Sequence, residues 1–330
     1  MSAGNLRAVW GSRPLLSVGV SVLIQDETRR VLLQRRGDDG LWGTPGGGLD
    51  PGEDFLTAAR RELREETGLS CPDLTWLGVH DGVVSGPQFW HRYPNGHEVY
   101  LVGARMLGHL PASALEDARP DDSGETLELR WFALDHLPAL SSNINRANLN
   151  VLRERAGLSP LPLLAVSSPE AASTYWTDLR RAAGPRPLFA PGASVVVTDT
   201  DGRLLLRQAA TGQWALPGGR MEPAESFEAC AHRKLLETMG LRAELLEPRA
   251  LLAGPEFRYE DSSDVWDSIS MVFQAVGVTG KVTGAHQVVD ARWFSPHELG
   301  QLDLLGLQTQ QAVEVWLADQ PALSRCASTT

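Results

Sequence analysis

Apolar and polar positions along the chain alternate between two regimes. Runs of aliphatic and β-branched residues, Val18 to Ile24 and Ala193 to Val197, have the composition of strands. Each leads into a short polar turn, Asp26 to Arg30 and Asp199 to Arg203, and then into a second apolar run. A glycine-rich loop follows, and after it a segment whose apolar residues recur at helical spacing. Further strands are predicted at about 74–80, 98–106 and 126–132, the last running into Leu134 to Leu137 and a helix near Asn145 to Arg155. Strands mixed with helices in this order predict an α/β fold, a mixed sheet between helical layers in an α/β/α arrangement.

The pattern occurs twice. Arg13-Pro14-Leu15-Leu16 and Arg186-Pro187-Leu188-Phe189 lie 173 apart. With one residue lost in the first turn, the offset becomes 172 and Leu32-Leu33-Gln34-Arg35 falls on Leu204-Leu205-Leu206-Arg207. Trp42, Pro45, Gly46 and Gly47 then fall on Trp214, Pro217, Gly218 and Gly219. Gly86-Pro87-Gln88-Phe89 matches Gly254-Pro255-Glu256-Phe257, and Arg130-Trp131-Phe132 matches Arg292-Trp293-Phe294, at offsets of 168 and 162 that loop deletions explain. The Pro, Ser and Ala-rich stretch from Ser159 to Ala172 marks the junction, so domains 1–165 and 166–330 are expected.

Composition narrows the function. With 330 residues, 42% hydrophobic and 22% charged, the chain has the make-up of an ordinary globular protein. Cys71, Cys230 and Cys326 are too scattered for a zinc ribbon or a disulfide framework, and a reducing cytoplasm is the expected location. Leu15 to Ile24 is flanked by Arg13-Pro14 and Gln25-Asp26-Glu27 and is too short to span a bilayer, so no membrane segment is expected. A net charge of -11 argues against a nucleic-acid partner, which requires a basic surface, but leaves room for one focused anion site. Neither a P-loop nor a G-x-S-x-G elbow occurs.

The segment from Gly47 to Leu69 carries the most chemistry. Pro45 to Gly48 is a loop open to close backbone approach, Pro51-Gly52 makes a turn, and a helix begins near Glu53 or Asp54. Glu62, Glu65 and Glu66 stand at i, i+3 and i+4, so their carboxylates share one face. Two such charges ~5 Å apart at an effective dielectric of ~20 repel by about 3 kcal/mol. Either Arg60, Arg61 and Arg64 neutralise them as a solvated charged face, or a cation sits among them.

The whole segment resembles the signature of the Nudix (MutT-like) hydrolases, G-x5-E-x7-R-E-U-x-E-E-x-G-U with U aliphatic. Gly47, Glu53, Arg61, Glu62, Leu63, Glu65, Glu66, Gly68 and Leu69 fill it without a mismatch. The preceding strand pair and the later Arg130 to Pro138 extend the likeness over residues 13 to 157. The resemblance implies two tandem Nudix folds and, for the first, Mg²⁺-dependent (or Mn²⁺-dependent) cleavage of a nucleoside diphosphate linked to another group. Oxygen-only carboxylate ligands suit such hard cations. It further implies that Glu62, Glu65 and Glu66 bind metal and act in catalysis with Arg61, and that Glu53 orients them through Arg61. Some family members draw a general base from a loop before the Trp-Phe strand, which points to Glu125, with Glu128 and Glu98 as alternatives.

Gly47, Glu53, Phe89, Trp90 and Tyr93 are candidate substrate contacts, the aromatic residues by stacking. His80, His91 and His97 lack metal-ligand spacing and are expected to be satisfied or exposed.

The second copy keeps Gly219, Glu225, Arg233, Leu235, Gly240 and Leu241, but Lys234, Glu237 and Thr238 replace the three glutamates and change their summed charge from -3 to 0. His286-Gln287 stands near the position of Glu125. This half is expected to keep the fold without hydrolysis, and to bind ligand, support a homodimer or cover the first site. Glu256, Glu260, Asp261, Asp264 and Asp267 are the residues from which a second cation site could be rebuilt. The competing functions are a nucleotide-sensing regulator that uses both halves and an RNA 5′-end pyrophosphohydrolase.

Overall fold

A computed structural model describes residues 3–80, 90–120, 123–166, 174–261, 264–282 and 290–318. The chain forms two compact units, Met1–Leu188 with Glu222–Ser226, and Phe189–Met221 with Phe227–Thr330.

The first unit contains α1 (Ala3–Trp10), β1 (Leu15–Gln25), β2 (Val31–Arg36), β3 (Trp42–Gly43), β4 (Gly46–Gly48), α2 (Phe55–Thr67), β5 (Thr75–His80), β6 (Trp90–Arg92), β7 (Glu98–His109), β8 (Thr126–Phe132), α3 (Asn143–Arg155) and α4 (Tyr175–Ala183). Its sheet runs β3-β2-β1-β7-β5, with β4 on β1, β6 on β7 and β8 on β2. The sheet is mixed: β1 and β7 pair in parallel from Leu15↔Val99 to Gln25↔His109, and the other described pairs are antiparallel. β1 is buried almost throughout because it is central and covered on both faces. Leu149 and Leu152 of α3 pack with Leu23, Val31 and Leu33. Period-two alternation gives Ser17, Gly19 and Ser21 the same face as Leu23, and leaves Val18, Val20, Val22 and Ile24 to the other.

Both ends of α2 are fixed by its own sequence. Asp54 caps it by accepting from Thr57 N at 2.7 Å. Gly68 ends it in the left-handed region at φ 72°, where a Cβ would come within 2.4 Å of Arg119 O. Phe55, Ala58, Ala59 and Leu63 form its buried face.

Helix α4 also belongs to this unit. Tyr175 meets Trp10 edge-on at 5.7 Å, and its Oη accepts from Leu16 N at 2.8 Å. Packing therefore divides the chain at Leu188, beyond the 165/166 boundary drawn from the Pro, Ser and Ala-rich junction.

The second unit contains β9 (Leu188–Val196), β10 (Leu204–Gln208), β11 (Trp214–Ala215), β12 (Gly218–Arg220), α5 (Phe227–Met239), β13 (Leu241–Arg242), β14 (Leu245–Leu252), β15 (Arg258–Asp261), β16 (Asp264–Val276), β17 (Thr279–Gly280), β18 (Asp290–Phe294), α6 (Pro296–Leu299) and α7 (Gly306–Ala318). Strands run β12-β9-β16-β14 with β15 on β16, and separately β11-β10-β18. The two sheets correspond to one in the first unit, where the Gln25↔Val31 pair joins β1 to β2; here a single bridge, Thr198↔Leu204, stands in that place. Ala312, Val313 and Trp316 of α7 close a core with Val196, Leu204, Leu206 and Val272.

Strand register corrects the alignment of the copies. Leu33 pairs with Arg130, and Leu206 pairs with the matching Arg292. Gln34 pairs with Gly43, and Arg207 pairs with Ala215. Leu33 thus corresponds to Leu206 and Gln34 to Arg207, so the offset of 173 persists through the second strand. The first turns are of equal length, each closed by an aspartate that accepts from the N–H four residues on, Asp26 from Arg30 and Asp199 from Arg203, both at 2.8 Å. The lost residue lies in the next loop, Gly37 to Gly40 against Ala210 to Gly212. Three successive leucines at 204 to 206 match an aliphatic run in either register, which hid the slip.

Candidate active site

Helix α2 lies against the glycine strand β4, and its acidic residues meet that strand. Glu66 Oε2 accepts from Gly46 N at 2.6 Å and also takes a hydrogen bond from Gln34. Gln34 Oε1 in turn accepts from Thr126 Oγ1. The Glu62 carboxylate lies beside Gly47, where a Cβ would stand 2.5 Å from Oε1. Only glycine leaves that space.

Arg61 organises the other acids. It forms a two-point pair with Glu53 (2.8 and 2.9 Å), reaches Glu62 Oε1 at 2.7 Å and Glu65 Oε2 at 3.1 Å, and donates to Gly48 O at 2.9 Å. Glu53 also accepts from Asp50 N at 2.9 Å, which ties the start of the helix to the loop. One cation thus faces three acids.

The charge is poorly compensated. Glu62 and Glu66 are only 9% and 7% exposed. Burial pushes the Glu66 carboxyl up to about 8, with the Glu62 charge adding to it. Glu62 is raised by burial against the pull of Arg61, with Glu65 and Glu125 raising it further. Two buried carboxylates that resist ionisation in each other's presence, with only oxygen donors beside an open glycine strand, fit a hard divalent cation in charge and chemistry. Among the described residues no three such side chains converge as a ready-made cation cage. Arg61 occupies Glu62 and Glu65, and the Gly46 N–H occupies Glu66.

A cleft adjoins this cluster on the α3 face of the sheet. Its walls include Gly46 to Gly48, Ser17, Gly19, Ser21, Arg36, His80, His91, Tyr93 and Asn145. Gly48, Gly19, Gly103 and His80 are successive register partners across β4, β1, β7 and β5, so the floor there carries no side chain until His80. His80 is 2% exposed, its Nδ1 has no hydrogen-bond partner, and burial, reinforced by Arg105, lowers its pKa to about 3. It is therefore a neutral imidazole. His91 and Tyr93 meet edge-on at 4.6 Å, and Asn145 Oδ1 accepts from Thr44 N at 2.8 Å.

His80 was expected to be satisfied or exposed, but it is buried with Nδ1 unpartnered. His80, His91 and Asn145 join the site through strand pairing and the start of α3, which no local spacing announces. Arg36, held by Asp38 at 2.8 and 2.9 Å, was also not anticipated.

Other candidates lie at varied distances. Glu125 is exposed, its carbonyl accepting from Gly37 N at 2.8 Å, and its charge reaches Glu62. Glu128 pairs with Arg35 at 3.5 Å and with Arg130. Glu98 faces Arg92 at 3.8 Å on the edge of β7. Tyr93 lines the cleft, whereas Trp90 lines a neighbouring cavity with Leu101, Ile144 and Leu164. Phe89 lies outside the described residues.

The second unit repeats the scaffold with other chemistry. Arg233 donates to Arg220 O at 3.1 Å, as Arg61 does to Gly48 O. Lys234 extends its stem over Gly219 and places Nζ 3.1 Å from Glu237. Asp267, one residue considered for a rebuilt cation site, is buried and committed to Arg258 at 2.7 and 3.0 Å. His286 and Gln287 lie outside the described residues.

Comparison with known proteins bears on both units. The NUDIX domain family model matches residues 15–154 and 188–315. An RNA pyrophosphohydrolase of Pelagibacter ubique is 30% identical over 131 residues, covering 37% of this chain and 79% of the relative. An m7GpppN-mRNA hydrolase of Xenopus laevis is 42% identical over 96 residues, covering 26% of this chain and 32% of the relative, so the likeness spans about a third of that protein. The crystal structure of a MutT NUDIX hydrolase from Burkholderia pseudomallei matches at 22% identity and a TM-score of 0.32, covering 38% of this chain and 97% of that one.

Proposed function

The chain belongs to the NUDIX domain family and is a hydrolase of pyrophosphate bonds; from that premise we propose that its first unit cleaves a nucleoside diphosphate linked to another moiety, with Mg²⁺ or Mn²⁺ held by Glu62, Glu65 and Glu66. The observation that carries this reading is the pair of buried, under-compensated carboxylates, Glu62 and Glu66, set against Gly46 and Gly47 beside a cleft.

A divalent cation bound there would neutralise pyrophosphate oxygens and acidify an attacking water. The protein's part is positional. Gly46 N–H and Gln34 aim Glu66, while Glu53 anchors Arg61, which holds Glu62 and Glu65. Glu125 serves as the base that takes the proton from water. Tyr93, His91 and His80 contact the nucleoside or the group attached to it.

Nucleotide sugars, ADP-ribose, dinucleoside polyphosphates and modified nucleoside triphosphates are the substrate classes to test. A second reading, RNA 5′-end hydrolysis, draws on the names of two relatives. A panel of these compounds and capped RNA, with Mg²⁺, on wild type and Glu66→Gln tests both readings. Glu66→Gln should lose about 3 kcal/mol of transition-state stabilisation, more than a hundredfold in rate. Full activity in that variant sinks the site assignment. Cleavage confined to capped RNA replaces the small-molecule reading with the second.

A further inference from the structure

Corrected register changes what the second unit offers a ligand. Arg207 stands where the first unit has Gln34, Lys234 where it has Glu62, and Thr238 where it has Glu66. These three positions go from a formal charge of -2 to +2. In the first unit the matched side chains meet, since Gln34 bonds Glu66 and Glu62 lies one turn away on the same helix.

Each replacement has a local consequence. The Nε of Arg207 is buried without a hydrogen-bond partner, and burial lowers the guanidinium's pKa with no acid opposing it. A buried cationic donor in that state lacks an acceptor. Lys234 lies along Gly219, where a Cβ would come within 3.0 Å of its Cε, and its Nζ shares Glu237 with Arg233, which stands 3.1 and 3.2 Å from the two carboxylate oxygens. Glu237 is held below the usual carboxylate range because these two partners outweigh its burial. Glu237 thus accepts from both Lys234 and Arg233. The Thr238 hydroxyl donates to Lys234 O at 2.5 Å, and it is uncharged where Glu66 presents a carboxylate to the Gly46 N–H.

We propose that the second unit binds the phosphoanhydride group of a nucleotide-type anion directly, without a divalent cation, on Arg207, Lys234 and the Gly218–Gly219 backbone. Lysine and arginine supply the charge that a metal would otherwise bring, and the glycines allow close approach. The site binds without hydrolysing, because Lys234 and Thr238 stand in place of two of the three carboxylates that the first unit presents.

The test is calorimetric titration of the 330-residue chain with inorganic pyrophosphate in EDTA, which silences any metal-dependent site. Wild type and Glu66→Gln should both bind at a single class of site, with equal affinity. Arg207→Gln and Lys234→Gln should each weaken binding at least ~10-fold, with melting curves reporting that each variant is folded. If Arg207→Gln does not fold, Lys234→Gln, on a partly exposed side chain, decides. Absence of binding at millimolar pyrophosphate, undiminished affinity in Lys234→Gln, or loss of binding in Glu66→Gln overturns the proposal. Turnover with Mg²⁺ in Glu66→Gln is a separate readout: it bears on the hydrolase reading of the first unit and leaves this one standing.

Discussion

Single side chains in the first unit are held in states that only the fold explains. His80 is the clearest case, a neutral imidazole buried at the end of a glycine floor. Nothing near it in sequence announces a site. Its place follows from the pairing of β5 with β7, which sets it beside Gly103, where a Cβ would come within 2.9 Å of Nε2. The burial has a thermodynamic signature. The imidazole's pKa falls from about 6.5 unfolded to about 3 folded, so between those values the unfolded chain binds the extra proton. The stability this contributes is complete above pH 6.5 and is lost as pH falls toward 3. Denaturant titrations of His80→Gln and wild type across that range should show a shallower loss in the variant; parallel curves would mean that the imidazole ionises in place.

The helix that carries the acids was the most legible element, because its chemistry and its limits are written in consecutive residues. The nine signature positions predicted the helix, its glycine end and the loop beside it, and α2 runs from Phe55 to Thr67 between the Asp54 cap and Gly68. Gly68→Ala should cost more than about 1 kcal/mol in urea unfolding, since it adds left-handed strain to a collision with Arg119 O. Gly47→Ala makes a sharper distinction. Its Cβ would displace the Glu62 carboxylate, so turnover should fall about a hundredfold while the melting temperature stays near wild type. Unchanged turnover would show that Glu62 need not sit against the loop. What the sequence concealed was register. The aliphatic run before Arg207 fits two alignments, and only cross-strand partners reveal that Arg207, rather than Leu206, replaces Gln34.

At the scale of the whole chain, the repeat extends further upstream than its strands. Asn5-Leu6-Arg7 and Asp178-Leu179-Arg180 keep the 173 offset, and each arginine closes the same loop. Arg7 Nη1 donates to Gly11 O and Arg13 O at 3.1 and 2.6 Å; Arg180 Nη1 donates to Gly184 O and Arg186 O at 2.9 and 2.7 Å. By descent α4 therefore opens the second copy. By packing it belongs to the first unit, where Tyr175 takes the Leu16 N–H and abuts Trp10. Composition marked the junction at 159 to 172, as a change of residue type does, but it carries no information on which core a following helix joins. A chain ending at 165 loses α4 and leaves the Leu16 N–H without its partner, a cost of about 1–3 kcal/mol for one buried donor. Set against a chain ending at 188, the shorter one should melt roughly 4–8 °C lower for a loss of about 2 kcal/mol at this size. Tyr175→Phe in the longer chain should account for part of that difference, because it keeps the ring contact and removes only the acceptor. Equal melting temperatures for the two fragments would show that α4 contributes nothing to the first core, and would return the division of the chain to the junction that composition marks.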